Sequence, residues 1–455
     1  MDPRFLPHNL HLSDIKLFSQ HDPHLYVLSL QKYQYFAPII NQIPRDIPGI
    51  YTLCGGRQVG KSTLLKQWML DLLHNGVNAK QIAFMSGEII DDHHALIKLI
   101  SYQLNSMPHV EGKICYLILD EITYIKDWDK GIKYLADTGL LRHVVLVITG
   151  SDLQILQEAR LRFPGRRGKA DQVNFHLHSL SFKDFLILSK SYPDDRERIT
   201  PHGIQKLYLA FNDYLIHGGY LTAINEYAKE KKINIATLDI YSEWIRGDMI
   251  KRDKREHYLQ EIIQAIIKRY NTQVSWINLA QDLSIDHPQT VADYISSLES
   301  MDAVFVQHAL MEDKLIAAPK KHKKVMFTDP FIFHALNWWI NPSKDPFNEQ
   351  ILSTIQDSKR CSSLVESVTI THLKRMFPTY YIKANGEVDL AYVKNKKFWP
   401  IEVKWTHQLR AQDLKQIQKY SNAQIWAKVD SIKTILNIKT IPIPLALIQE
   451  FVIDN

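Results

Sequence analysis

Short apolar runs punctuate the first third of the chain. Residues 50–54, 81–86, 114–119 and 144–148 are mostly apolar, and each run leads into a polar residue or a glycine. Continuous runs of this kind are typical of parallel strands that are buried on both faces. Helical periodicity separates the runs, so the pattern predicts an α/β unit.

A second pattern, alternation of apolar and polar residues, marks the C-terminal part of the chain. Residues 386–393 and 398–405 alternate in this way and predict two strands joined by a lysine-rich turn. Successive strand residues face opposite sides of a sheet. Asp389 therefore faces away from its apolar neighbours, and Glu402 and Lys404 share one face. A hairpin would bring these three charged side chains together.

A glycine-rich turn links the first apolar run to an amphipathic stretch at residues 62–73, which predicts a helix. The turn fits the pattern G-x-x-x-x-G-K-[ST] at every fixed position. Its glycines let the backbone wrap a phosphate, and the free amides of the helix start attract the negative charge. Lys61 would reach the β- and γ-phosphates of ATP, and Ser62 would ligate Mg²⁺. The predicted nucleotide-binding residues of this loop are Gly55, Gly56, Arg57, Gln58, Val59, Gly60, Lys61, Ser62 and Thr63.

Polar residues follow the third and fourth apolar runs. Asp120 and Glu121 come after the third run, and Thr149 and Ser151 after the fourth. Active-site residues of parallel α/β sheets collect at the carboxyl ends of the strands. We expect Asp120 to hold Mg²⁺ through water, and Glu121 to orient and deprotonate the attacking water. Thr149 or Ser151 would sense the γ-phosphate.

The composition of the chain bears on its cellular location and on its binding partners. The three cysteines are an odd number without the spacing of a zinc site, which favours a reducing, cytoplasmic location. No apolar run approaches the roughly 18 residues of a membrane span, and the N-terminus lacks the apolar run of a signal peptide. The formal net charge is +6, and residues 391–455 carry ten Lys/Arg against five Asp/Glu. A basic domain indicates either a polyanionic partner or simply a solvated basic surface.

Residues 256–330 show helical periodicity, a turn, a further helix and two short apolar runs, as in a winged helix. The second helix of a helix–turn–helix often reads DNA, but here it carries Asp293 and Glu299 and no Lys or Arg. Direct reading of the major groove is therefore unfavourable. Two basic clusters, within residues 251–255 and 320–324, could instead grip phosphates without reading sequence. A structural spacer is the alternative.

Residues 48 to about 190 resemble the AAA+ ATPases found in many prokaryotic proteins. The resemblance is carried by GGRQVGKST, LILDEI, DWDKGIKYLAD, VITGSD and PGRRG, and SLSFKDF and HGGY further on are also similar to that family. It implies a helical lid after the core. It also implies that Arg166 supplies positive charge to phosphoryl transfer, with Arg167 adjacent. Action of Arg166 in trans would require a homo-oligomer.

Residues 362–420 resemble the core of PD-(D/E)XK nucleases. Asp389 and Glu402 match the two metal-binding carboxylates, and Lys404 matches the lysine that orients or activates water. Glu366 is at the right place in chain order for the glutamate that this fold carries on a preceding helix. The resemblance implies a Mg²⁺ site for phosphodiester cleavage. The proline that commonly precedes the aspartate is missing here.

The predicted fold is an α/β P-loop AAA+ three-layer sandwich with added domains. The expected order is an N-terminal extension (1–47), the ATPase core (48–180), a helical lid (181–255), a winged helix (256–330) and a small α/β nuclease-like domain (331–455). The predicted function is a Mg²⁺-dependent ATPase that handles double-stranded or branched DNA with low sequence specificity. Two alternatives stay open: a nucleotide-gated DNA-binding switch without cleavage, and an ATPase that remodels proteins.

Overall fold

The computed structural model describes residues 1–107, 113–153, 161–163 and 165–449. These residues form two compact units. The first unit holds residues 1–178 and 300–302, and the second holds residues 179–299 and the chain from 303 onward. Every helix within the described ranges is too short or too polar to cross a membrane. The finer division of the chain into five domains stays a prediction.

The first unit is built on a parallel five-stranded sheet in the order β2-β3-β4-β1-β5. Its strands are β1 (Gly49–Cys54), β2 (Ile82–Ser86), β3 (Cys115–Asp120), β4 (Val144–Gly150) and β5 (Asn174–His176). The four predicted strands are confirmed within one or two residues at their ends. The short β5 has no apolar run of its own and was not predicted.

Helices cover both faces of this sheet, which explains why its strands are apolar throughout. They are α1 (Ile15–His21), α2 (Pro23–Ser29), α3 (Lys61–His74), α4 (His93–Ser106) and α5 (Trp128–Asp137). Alternate residues of each strand enter opposite cores: Leu117 and Leu119 pack with α4 and α5, whereas Ile118 packs with α3. The α/β prediction of three layers is therefore confirmed for this unit.

The N-terminal segment contributes to the core of the first unit rather than extending from it. Phe5 and Phe18 are fully buried. The Asn9 amide bonds both the N–H and the carbonyl oxygen of Phe84 in β2, each at 2.8 Å. Lys66 of α3 pairs with Asp22 at 3.1 Å, and neither side chain is exposed to solvent.

The second unit opens with helices. They are α6 (Phe182–Leu188), α7 (Pro201–His217), α8 (Leu221–Glu230), α9 (Ile235–Lys251), α10 (Glu256–Lys268), α11 (Trp276–Gln281) and α12 (Pro288–Ser300). Four short strands follow: β6 (Val304–His308), β7 (Leu310–Met311), β8 (Ile316–Ala317) and β9 (Lys323–Phe327). β6 pairs antiparallel with β9, and β7 with β8. The helices α10 to α12 and the strands β6 and β9 lie where the sequence pattern predicted them, whereas β7 and β8 were not predicted. The identity of this segment as a winged helix stays a prediction.

A buried aspartate explains the paired glycines of the HGGY segment. A Cβ on Gly218 would lie 1.8 Å from Oδ1 of Asp329, and φ of this glycine is +59°. Asp329 accepts hydrogen bonds from the Gly219 N–H at 2.9 Å and from the Ser179 hydroxyl at 2.8 Å. A side chain at Gly218 would therefore displace the carboxylate that joins these segments.

The C-terminal part of the second unit is a mixed sheet with a long helix packed against it. Its helices are α13 (Pro330–Ile340), α14 (Ser353–Gln356), α15 (Ser358–Lys374) and α16 (Ile443–Ile448), with a π-helical turn at Phe347–Leu352. Its strands are β10 (Thr379–Lys383), β11 (Glu387–Lys394), β12 (Lys397–Lys404), β13 (Gln424–Ala427), β14 (Lys433–Ile435) and β15 (Ile438–Pro442), in the order β10-β11-β12-β13-β15-β14. Leu390 pairs with Ile401, so the predicted hairpin is confirmed.

The buried Lys66–Asp22 ion pair joins the N-terminal segment to α3, so breaking it should destabilise the fold. We expect Lys66→Met to lower the free energy of unfolding by about 3–5 kcal/mol, because it leaves the Asp22 carboxylate buried without a counter-charge. The double variant Lys66→Met/Asp22→Asn should recover part of this loss, since asparagine is neutral and still caps α2. Urea unfolding of the two variants measures the difference. Equal losses in both would contradict a dominant charge effect.

Candidate functional site

The glycine-rich loop has the conformation that the sequence pattern requires. Gly60 has φ of +101°, in the left-handed region that favours glycine, and α3 starts at the next residue. A Cβ on Gly55 would lie 2.3 Å from the carbonyl oxygen of Leu177. The Lys61 side chain is 4% exposed, and its Nζ donates to the carbonyl oxygens of Gly55 and Gly56 at 3.0 and 3.1 Å. The ammonium group therefore lies over its own loop.

The acidic end of β3 meets the start of α3. The Ser62 hydroxyl donates to Oδ2 of Asp120 at 2.5 Å, and the Thr149 hydroxyl donates to Oδ1 at 2.5 Å. Thr149 in turn accepts from the N–H of Glu121 at 2.9 Å. Asp120 is buried at this junction. The hydroxyl of Ser62 and the carboxylate of Asp120 are hard oxygen donors on adjacent elements, and such a pair fits Mg²⁺.

Glu121 lies beside the lysine of the loop. Its backbone is left-handed, with φ of +53°, which turns the chain away from the strand. Its Oε1 accepts from the Ser151 hydroxyl at 2.6 Å and lies 3.6 Å from Nζ of Lys61. Lys61 also donates to Ser151 at 3.2 Å. Among the described residues, the buried Oε2 of Glu121 has no hydrogen-bond partner, so it could accept from a water or a ligand atom.

The structure thus brings together the core of the predicted nucleotide site, and the other predicted residues line its edges. Arg57 lies on the loop and donates to the Tyr124 hydroxyl. Val59 belongs to the same loop, and Thr63 lies in the first turn of α3. Gln58 shares the loop's unusual backbone, with φ of +60°.

The two arginines of the PGRRG segment have different surroundings. The Arg166 guanidinium is paired with Asp137 of α5 at 2.5 Å, and this bond holds the pKa of Asp137 below its usual range. Arg167 donates to the side chain of Asn174 at 2.6 Å and to the carbonyl oxygen of Val173 at 2.9 Å. Arg167 therefore fixes the start of β5. The role of Arg166 in phosphoryl transfer stays a prediction.

A second charged cluster lies on the mixed sheet of the second unit. Nζ of Lys404 lies 2.5 Å from Oε1 of Glu402 and 3.5 Å from Oδ2 of Asp389. The N–H of Val403 also donates to Oδ2 of Asp389, at 2.9 Å. Oε2 of Glu402 is buried and has no hydrogen-bond partner within the part of the chain that the structure describes. The predicted trio is therefore assembled.

The fourth predicted residue, Glu366 of α15, pairs with a lysine that the sequence analysis assigned elsewhere. Lys324 of β9 lies 3.1 Å from Oε1 of Glu366 and 2.5 Å from Oε1 of Glu387. Its side chain is 2% exposed, so it cannot grip phosphates with the rest of the basic cluster at 320–324, and that expectation was wrong for this residue. Glu387 was missed, although it precedes Asp389 by two residues and therefore shares its face of β11.

Burial sets the protonation of this acidic cluster. Desolvation, together with the neighbouring charge of Asp389, raises the pKa of Glu402. Desolvation likewise raises the pKa of Glu366, although Lys324 opposes the shift. Burial would lower the pKa of Lys404, but the carboxylates of Asp389 and Glu402 outweigh it and raise that pKa. Desolvation is the larger cause for both glutamates, so burial disfavours their ionised forms even beside the lysines.

The donor set of this cluster fits a divalent cation. Asp389 and Glu402 supply hard carboxylate oxygens on paired strands, and Oε2 of Glu402, which no described residue bonds, provides a ligand position. Lys404 lies against both carboxylates, within reach of anything bound to them. Such a cation would stabilise the ionised forms of these carboxylates, which burial disfavours.

Comparison with known families covers two parts of the chain. Residues 48–186 match the AAA domain family, in agreement with the parallel sheet and the phosphate-binding loop. The predicted AAA+ core is thus confirmed as an AAA domain. Residues 208–343 match a domain of unknown function, DUF8612.

Individual relatives are distant. An uncharacterized protein of Haemophilus influenzae is 25% identical over 270 residues, which are 56% of this chain and 61% of that protein. The chain thus spans less than two thirds of this relative's length. A RuvB variant of Thermotoga maritima superposes with a TM-score of 0.29 at 16% identity, covering 60% of this chain and 85% of RuvB. AMPPCP-bound DnaA of Aquifex aeolicus superposes with a TM-score of 0.27 at 13% identity, covering 57% of this chain and 86% of DnaA. Likenesses this loose carry no argument about function.

Proposed function

We propose that the chain is a Mg²⁺-dependent ATPase that drives the handling of DNA by its C-terminal domain. The observation that carries the ATPase part is the junction of the phosphate-binding loop with the acidic end of β3. Lys61, Ser62, Asp120 and Glu121 meet there within hydrogen-bond or ion-pair distances. AAA domains share the fold that positions these groups, and residues 48–186 match that family.

Each group of this junction has a role in the proposed reaction. The amides of the loop and Lys61 bind the β- and γ-phosphates and neutralise their charge. Ser62 and Asp120 would hold Mg²⁺, which stabilises the charge that develops on the phosphate oxygens. Glu121 accepts a proton from the attacking water at Oε2. Thr149 and Ser151 keep the two carboxylates in place and sense the γ-phosphate.

Arg166 completes the proposed site only after its present ion pair opens. It is exposed enough to exchange partners, with 30% of its side chain accessible, and its bond to Asp137 lies at the surface. Solvent screens a surface pair of this kind and leaves it weak, so a γ-phosphate would compete well for the guanidinium. If Arg166 acts on a neighbouring copy, the active form is a homo-oligomer.

The assignment of Glu121 as the base predicts a separation of binding from turnover. We expect Glu121→Gln to bind ATP as the unaltered protein does and to hydrolyse it about 10²–10⁴-fold more slowly, because glutamine cannot accept the proton. Lys61→Ala should weaken ATP binding itself by about 10–100-fold through loss of a charge-assisted contact. Calorimetry and a phosphate-release assay measure the two effects, with the exposed Lys80→Ala as the control. Normal turnover by Glu121→Gln would refute the assignment.

The C-terminal cluster supports metal-dependent cleavage of a phosphodiester. Asp389 and Glu402 would hold the metal ion, which would polarise the phosphate and lower the pKa of bound water. Glu366 is paired with Lys324 beside them. Lys404 would orient that water and neutralise charge on the phosphate. The net positive charge of residues 391–455 favours a nucleic-acid substrate.

Removal of the metal-binding carboxylates tests cleavage separately from ATP hydrolysis. We expect Asp389→Asn and Glu402→Gln each to abolish Mg²⁺-dependent cleavage of duplex or branched DNA, while ATP hydrolysis continues. Both substitutions keep the size of the side chain. A gel assay with labelled DNA measures cleavage, and phosphate release measures hydrolysis. If the unaltered protein cleaves no DNA or RNA, the nucleotide-gated binding switch is the better description.

The salt dependence of DNA binding distinguishes the nuclease and the DNA-binding switch from an ATPase that remodels proteins. Each phosphate contact contributes about −0.9 to the slope of log affinity against log salt concentration. We therefore expect binding of a DNA duplex to weaken with a slope of about −3 or steeper between 50 and 200 mM salt, measured by fluorescence anisotropy. A flat slope, or no binding, would favour remodelling of proteins.

A further inference from the structure

The acidic cluster of the C-terminal sheet has two parts, and each part consists of one lysine and the two carboxylates that it contacts. Lys324 contacts the carboxylates of Glu366 and Glu387, at 3.1 and 2.5 Å. Lys404 contacts those of Asp389 and Glu402. Oε2 of Glu402, a buried oxygen without a hydrogen-bond partner among the described residues, belongs to the second part. This oxygen could accept a ligand on the side of Lys404, whereas the side of Lys324 already holds a cation.

Lys324 is held in place by its strand as well as by its charge. It is paired in register with Gln307 of β6, and the Gln307 amide donates to the carbonyl oxygen of Asp389 at 3.0 Å. Gln273 donates to the same Glu387 that binds Lys324. The Tyr270 hydroxyl bonds that of Ser367 on α15 at 2.9 Å. The segments around β9 are thus tied to the helix and strand that carry the carboxylates, so the ammonium group is a fixed part of the site.

The charge of the six side chains sets how many metal ions they can hold. Glu366, Glu387, Asp389 and Glu402 are four acids, and Lys324 and Lys404 are two bases. Full ionisation leaves two negative charges, which one divalent cation neutralises. A second divalent cation would leave two positive charges in a largely buried cluster, which is strongly unfavourable. Without Lys324, three negative charges would remain, and two divalent cations would then leave one positive charge in place of two.

From this arrangement we propose that Lys324 occupies the position of a second metal ion, so that the C-terminal site takes one divalent cation, at Asp389 and Glu402. This inference rests on the proposed metal site and adds a stoichiometry to it. The ammonium group neutralises Glu366 and Glu387 and keeps a second cation out. Lys324 thereby limits the site to one metal ion, because its ammonium group takes the place of the second metal ion.

Counting bound metal tests the proposal without any measurement of activity. We titrate Mn²⁺ into the nucleotide-free full chain by calorimetry. The same titration of the Asp389→Asn/Glu402→Gln double variant is the blank, and its bound Mn²⁺ is subtracted. The unaltered protein should bind one Mn²⁺ above the blank, and Lys324→Gln should bind two. Lys324→Arg, which keeps the positive charge, should bind one, and so should the matched control Lys323→Gln. Lys323 is the neighbouring residue on β9 and has no contact with the four carboxylates among the described bonds.

The possible results separate this proposal from the metal site on which it rests. Equal Mn²⁺ counts for Lys324→Gln and the unaltered protein would overturn the role of Lys324. If the unaltered protein binds no Mn²⁺, the proposed metal site at Asp389 and Glu402 is refuted. If Lys324→Gln then binds one Mn²⁺, the result still supports the proposal that the lysine takes the place of a metal ion. If Lys324→Gln folds only with metal present, refolding in Mn²⁺ and elemental analysis after gel filtration give the same number. Two ions then support the proposal, and one overturns it.

Discussion

Three buried lysines require an acidic group beside them, and this requirement joins separate parts of the chain. Asp22 faces Lys66, Glu121 faces Lys61, and Glu387 faces Lys324, and each of these lysine side chains is at most 4% exposed. An ionised group taken out of water is strongly disfavoured unless an opposite charge or hydrogen bonds replace its hydration. Each element that presents an acid to the interior must therefore pack against an element that presents a base. This requirement joins the N-terminal segment to α3, the phosphate-binding loop to β3, and β9 to the C-terminal sheet.

The sequence predicts those parts of the two sites whose partners are set by local geometry. The apolar runs fix the parallel strands, so residues just after them, such as Asp120 and Thr149, must meet at one edge of the sheet. Alternation in a hairpin likewise places Asp389 beside Glu402. In both cases the periodicity of one or two elements is enough. The same rule would have found Glu387, because it lies two residues from Asp389 on the same strand.

The sequence does not predict partners that meet only through tertiary packing. Lys324 lies in a basic cluster, and no local pattern distinguishes it from the lysines beside it. Its acids are 42 residues away on α15 and 63 residues away on β11, and only the packing of β9 against those elements reveals the pairing. Lys66 presents the same difficulty, since its position on α3 is ordinary and its partner lies in an N-terminal segment without any motif. Charge counted along the chain therefore overstates the charge available at the surface.

The partners of a buried lysine also indicate whether a substrate can recruit it. Lys61 donates to two carbonyl oxygens of its own loop and to a hydroxyl, and the carboxylate of Glu121 is 3.6 Å away. Phosphate oxygens carry more charge than carbonyl oxygens, so an incoming polyphosphate is the stronger acceptor and can take the ammonium group over. Lys324 already contacts two carboxylates at closer range. An anionic substrate offers it nothing stronger, and a cation that displaced it would leave the ammonium group buried without a counter-charge. The first lysine is therefore suited to binding a ligand, and the second to holding a site together.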